Sequence, residues 1–82
     1  MARRVIPVDR FVAEINRRLP GKPGYRDGLH VFLTPPGANV ATAVGYDWNF
    51  KDGPDTAAAV RLAVDEVALA YEVYPPMPPP MG

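Results

Sequence analysis

Few side chains in this sequence are equipped for chemistry. Nucleophilic catalysis needs a Ser, Cys or Thr beside a base. The sequence has no Ser and no Cys, and its threonines are Thr34, Thr42 and Thr56. Each has a structural duty to hand: a turn, a core position and a helix start. His30 is the single histidine, the only side-chain type that titrates near neutrality unperturbed. It falls on the open face of a predicted strand, with no carboxylate partner apparent. Asp47, Asp52 and Asp55 are close enough in sequence to suit a divalent cation. Their spacing matches no cation-binding loop, and Gly53-Pro54 gives them turn and helix-capping work instead. One imidazole and no thiolate leave little for zinc. No Walker-type loop and no G-x-G-x-x-G occurs. The expectation is a non-enzymatic protein that uses neither metal nor cofactor.

Charge points to binding instead. The net charge is zero, yet residues 1–30 carry a net +4 and residues 31–82 a net −4. A basic front and an acidic back suit an acidic partner or nucleic acid on one side and a basic partner on the other. The same pattern also results when the two halves simply pair with each other. The basic candidates are Arg10, Arg17 and Arg18, with Tyr25 and Arg26 in the loop that follows. A basic, aromatic loop of that kind can hold phosphate or stack a base.

The elements that would position these groups can be read from periodicity. The longest periodic stretch is Gly53 to Tyr74. Gly53 serves as N-cap, Pro54 as first helical residue and Asp55 as a first-turn carboxylate. Ala57, Val60, Val64, Val67, Ala68 and Tyr71 then fall on one stripe, the spacing of a core-facing helix. A second, narrower stripe carries Leu62, Leu69 and Val73 and needs another cover, either a partner or a second copy. A first helix is predicted over Ile6 to Leu19, with Val8, Phe11, Val12, Ile15 and Leu19 on one face. Glu14 and Arg18 make an i,i+4 pair on it, and Pro20 ends it.

Pro20 to Gly28 is a loop by composition. Leu29 to Thr34 is the first predicted strand. A Pro35–Ala38 turn leads to a long second strand over Asn39 to Phe50, with a bend or a break into two near Gly45. Pairing Thr34 with Asn39 puts Leu29, Val31, Leu33, Val40, Thr42, Val44, Tyr46 and Trp48 on the core side. His30, Phe32, Ala41, Ala43 and Gly45 then lie on the other side, where Phe32 offers apolar contact. Tyr74 to Gly82 reads YPPMPPPMG, a polyproline II segment.

Together these features predict a single α+β domain over residues 1–74 and a Pro-rich tail over 75–82. The architecture is a two-layer sandwich of order α-β-β(-β)-α, an antiparallel sheet with two helices on one face. No apolar run approaches a membrane span, and MARRVIPV lacks the apolar core of a signal peptide. A cytoplasmic protein with no membrane partner is the expectation.

Helix, strands, helix is also the order of the double-stranded-RNA-binding domain, which the chain resembles in that respect. That family docks RNA through a basic start to its second helix. Here the corresponding start, Lys51-Asp52-Gly53-Pro54-Asp55, is mostly acidic and departs from the pattern. The stretch AVGYDWNFKDGPDTAAAVRLAV resembles part of small phage and prophage accessory proteins with an α-β-α layered domain, among them some anti-CRISPR proteins. That resemblance covers part of the chain and implies a protein that occupies a surface on a larger host or viral assembly. Three functions follow as expectations. The first is a protein-binding module, or a homodimer using the same apolar residues. The second is a nucleic-acid binder through the Arg-rich helix. The third is an assembly subunit that uses its tail.

Overall fold

The computed structural model describes residues 3–74. The polyproline segment 75–82, with the expectations placed on it, lies outside the described residues. The chain runs β1 (Arg4–Ile6), α1 (Val8–Arg18), a short 3-10 turn (Leu19–Gly21), β2 (Val31–Thr34), β3 (Gly45–Trp48), α2 (Pro54–Ala70) and β4 (Tyr71–Val73). It is a small α+β fold with two helices and two two-stranded sheets. One sheet pairs β1 with β4 in parallel, and the other pairs β2 with β3 antiparallel.

The first helix starts at Val8, the first member of its apolar stripe, and not at Ile6 as expected. Pro7 is its N-cap, with extended backbone at φ −73° and ψ 165°, and a proline pushes the residue before it into the β region. Ile6 therefore ends a strand, the element the sequence reading missed. Arg17 and Arg18 fill the last helical turn, as the dipole favours.

The long helix also differs from expectation at its far end. It stops at Ala70, and Tyr71 turns extended at φ −136° and ψ 155°. Tyr71 to Val73 then pair with Arg4 to Ile6, so Val73 is a strand residue packed against the core and not part of a helical stripe. The buried stripe of α2 is Thr56, Ala59, Val60, Ala63 and Val67. Ala57 and Ala68, expected in the core, are exposed. Small Ala59 and Ala63 let the helix lie close to its neighbours, which a stripe of larger residues would hold apart. The last turn of α2 has no basic residue of its own. Arg3 supplies one, donating from Nη1 to the Ala68 carbonyl at 2.7 Å.

The single antiparallel sheet is corrected to two sheets, and the second strand is shorter than expected. Asn39 is the reason. Its side chain accepts from the backbone N–H groups of Ala41 and Thr42, and its own N–H donates to Thr42 Oγ1. This is an Asx-type turn that competes with strand pairing. Pairing begins only at Gly45, opposite Thr34. The register thus slips by six residues from Thr34–Asn39, an even number, so Tyr46 and Trp48 stay on the side of Leu33 and Val31. Val40, Thr42 and Val44, expected on the core side, fall before the paired segment and are exposed. Leu33 meets Tyr46 and Val31 meets Trp48.

Ile6, Phe11, Ile15, Leu19, Leu29, Val31, Tyr46, Val60 and Val67 form the core with Ala59 and Ala63. The β2 edge is closed by side-chain amides. Asn16 on α1 both donates to and accepts from the backbone of Val31, at 2.9 and 2.7 Å. Asn49 does the same for Gly28 and His30. Two backbone positions are unusual. Phe50 sits at φ 58°, a region costly for a bulky residue, with its ring packed against the core. Gly24 has φ +91°, and a methyl there would overlap the Asp55 carbonyl oxygen.

Candidate interaction surfaces

The arginines of α1 do not form a free basic face. Arg10, Arg17 and Arg18 all reach one carboxylate, Glu14, at 3.0, 2.9 and 2.5 Å. The Glu14 side chain is only 7% exposed beneath them. Arg18, then Arg17, and more weakly Arg10, hold its carboxyl down at about 2 against the desolvation that would raise it. Arg18 is tied a second time, to Glu66 on α2 at 3.3 Å, and Lys22 binds the same carboxylate. Arg18 is 17% exposed, whereas Arg17 is 68% exposed.

The other candidates separate in space. Tyr25 is half-buried against the core. The Arg26 guanidinium lies 4.6 Å above the Phe50 ring, so this loop basic group is engaged in a cation–π contact. Phe32 is half-buried, with the His30 ring 5.7 Å away. His30 Nδ1 lies 3.1 Å from the Gly28 carbonyl oxygen. Asp47 pairs with Lys51 at 2.5 Å, and no three potential metal ligands cluster among the described residues. Thr56 spends its hydroxyl on the Phe50 and Gly53 carbonyls. Leu62 and Leu69 stand out on α2, 45% and 82% exposed.

The described residues form two concavities of note. One, of about 380 Å³, lies where β1 meets α1 and holds Arg4, Asp9, Arg10 and Tyr71 among its walls. Its charges are of both signs, and Arg10 is already committed to Glu14. The other, of about 460 Å³, is more aromatic. Phe11 from α1, Tyr46 and Trp48 from β3, and Ala57, Val60 and Val64 from α2 line it. Phe11 and Tyr46 meet edge to face, with ring centroids 5.7 Å apart. Burial, with a smaller effect from Asp65, raises the Tyr46 phenol. The Lys51 ammonium sits 5.0 Å from the centre of the Trp48 ring. Trp48 Nε1 is buried and has no acceptor among the described residues.

Sequence reasoning treated Phe11, Tyr46 and Trp48 only as core. The available signal was the mismatch between two large aromatics on β3 and the run of alanines opening α2. Comparison with protein-family models, with curated proteins and with solved structures finds no match. No helix among the described residues is long and apolar enough to cross a membrane.

Proposed function

We propose that this protein is a small, cytoplasmic, non-enzymatic binding module that acts by protein–protein contact through the outward side of α2. One observation carries this reading: Leu62 and Leu69, two helical turns apart, present apolar side chains to solvent at 45% and 82% exposure. Asp65 and Glu66 lie between them in sequence, and since Glu66 is already paired with Arg18 and Lys22, Asp65 is the carboxylate this face offers. A partner helix or strand with apolar residues flanking a cation would complement that face. Two copies of α2 packed antiparallel about this centre would bring like carboxylates together, which favours a foreign partner over a homodimer. The small α+β build and the resemblance to phage accessory proteins fit a module that modulates or inhibits a larger host assembly.

The nucleic-acid alternative is weakened, because Arg10, Arg17 and Arg18 all pair with Glu14 and Arg18 also with Glu66, although Arg10 and Arg17 stay more than half exposed. The test is retention of a partner from lysate by the immobilised chain. Leu62→Asp/Leu69→Asp is expected to lose the partner, and Val44→Asp, at an exposed valine outside α2, to keep it. Retention by the double variant overturns the assignment to α2. Nuclease-sensitive retention that falls steeply with salt would move the function to nucleic acid.

A further inference from the structure

The aromatic cavity between α1, β3 and α2 joins an apolar body to a charged rim. Its volume, about 460 Å³, falls within the roughly 300–1,000 Å³ of small-molecule sites. Phe11 and Tyr46 are buried, whereas Trp48 and Val64 are only half-buried and Ala57 is exposed. Solvent therefore still reaches part of the apolar wall, and a ligand that covers it gains by displacing that water.

The rim is the selective part. Arg61 and Asp65 are the charged residues that line the cavity, one of each sign. Both are exposed, and neither takes part in an ion pair among the described residues. They stand at i and i+4 on α2 with the cation first, the weaker order for pairing along a helix. Asp65 adds to burial in raising the Tyr46 phenol, so its field extends into the cavity and the phenol stays protonated. Lys51, over the Trp48 ring, is paired with Asp47 and is not a lining residue.

This arrangement sorts ligands by charge. A cation drawn to Asp65 is opposed by Arg61, and an anion drawn to Arg61 is opposed by Asp65. A molecule with an ammonium and a carboxylate close together answers both. An α-amino acid carries the two on one carbon, within reach of side chains about 5–6 Å apart at their Cβ atoms. The guanidinium fork matches a carboxylate, and the aromatic walls suit an apolar or aromatic side chain.

We propose that this cavity binds a free apolar α-amino acid. Arg61 takes its carboxylate, Asp65 its ammonium, and Phe11, Tyr46 and Trp48 its side chain.

Trp48 is the single tryptophan and lines the cavity, so its emission reports occupancy. The probes are L-phenylalanine and L-leucine. The comparators are 2-phenylethylamine, which lacks the carboxylate, and 3-phenylpropionate, which lacks the ammonium. The wild type is expected to respond saturably to both amino acids. It should bind L-phenylalanine about tenfold or more tighter than either comparator, the worth of a charged hydrogen bond. Arg61→Gln should erase the advantage over 2-phenylethylamine and keep that over 3-phenylpropionate, and Asp65→Asn should do the reverse. A merely structural role would weaken all three ligands alike. No saturable response to either amino acid overturns the proposal. So does a comparator that binds as tightly as L-phenylalanine, which makes the cavity a site for an amine or an aryl acid. Leu62→Asp/Leu69→Asp is expected to leave the titration unchanged, so this proposal and the partner surface on α2 fail separately. Loss of the response in that variant would move the ligand to the outward side of α2 and overturn the assignment to the cavity.

Discussion

At the scale of single residues, Glu14 is the most consequential polar side chain. It was legible in the sequence only as half of a pair with Arg18. Arg10 and Arg17 also lie within helical reach, at i−4 and i+3, but spacing does not say that one carboxylate will be buried beneath all three guanidinium groups. Its carboxyl is depressed from about 4.5 to about 2 by those contacts. A depressed folded-state value means that the stabilisation is complete above the unfolded value. It declines as pH falls from about 4.5, where the unfolded chain takes up its proton first, and is gone below about 2. Urea midpoints measured from pH 6 to pH 2 should therefore fall with acidity, and Glu14→Gln should be less stable at pH 6 and show a flatter profile. An unchanged slope in that variant would mean that other carboxylates, Glu66 first, carry the acid sensitivity. Glu66 is held low in the same sense, mainly by Lys22.

At the scale of elements, both helices were legible, as was the Gly53-Pro54 start of α2, but the start of α1 and the far end of α2 were not. Apolar spacing marks a face, but a proline's effect on the preceding residue placed Ile6 in a strand, and long-range pairing with β1 took Tyr71 out of α2. Neither partner of that pair is local, so no window of sequence contains the signal. The buried face of α2 was misread by one position because alanine is ambiguous: Ala57 and Ala68 looked equal to Ala59 and Ala63. Only the latter two are fully buried. Ala63→Leu should accordingly destabilise the fold by about 1–3 kcal/mol through overpacking, measured by chemical denaturation, whereas Ala57→Leu should change it little. The Asn16 amide is a second test at this scale. Asn16→Ala strips both partners from Val31 at the β2 edge and should cost about 1–3 kcal/mol, with faster amide exchange at Val31 as its local signature.

At the scale of the whole molecule, the opposed charges of the two halves meet at one carboxylate. Arg18 and Lys22 from the basic half close on Glu66 from the acidic half, so the polarity seen in sequence is in part an internal contact. The outward side of α2 still carries Leu62 and Leu69 exposed to solvent. Leu62→Asp/Leu69→Asp should leave the denaturation midpoint within about 0.5 kcal/mol of wild type, as exposed substitutions do, so that any loss of partner binding reads as loss of the surface and not of the fold. Such a face was visible in sequence as a second stripe, but its third member, Val73, left the helix for β4. The parallel pairing of β1 with β4 has a further, mechanical consequence. A tether pulling the chain from beyond Arg4 and beyond Val73 would draw two parallel strands past each other lengthwise. Their hydrogen bonds would then bear the load together instead of opening one after another. An optical-trap experiment with handles at residues 3 and 74 should find a higher rupture force than one with handles at residues 34 and 45. There the antiparallel β2–β3 pair is peeled from its end, where Thr34 faces Gly45.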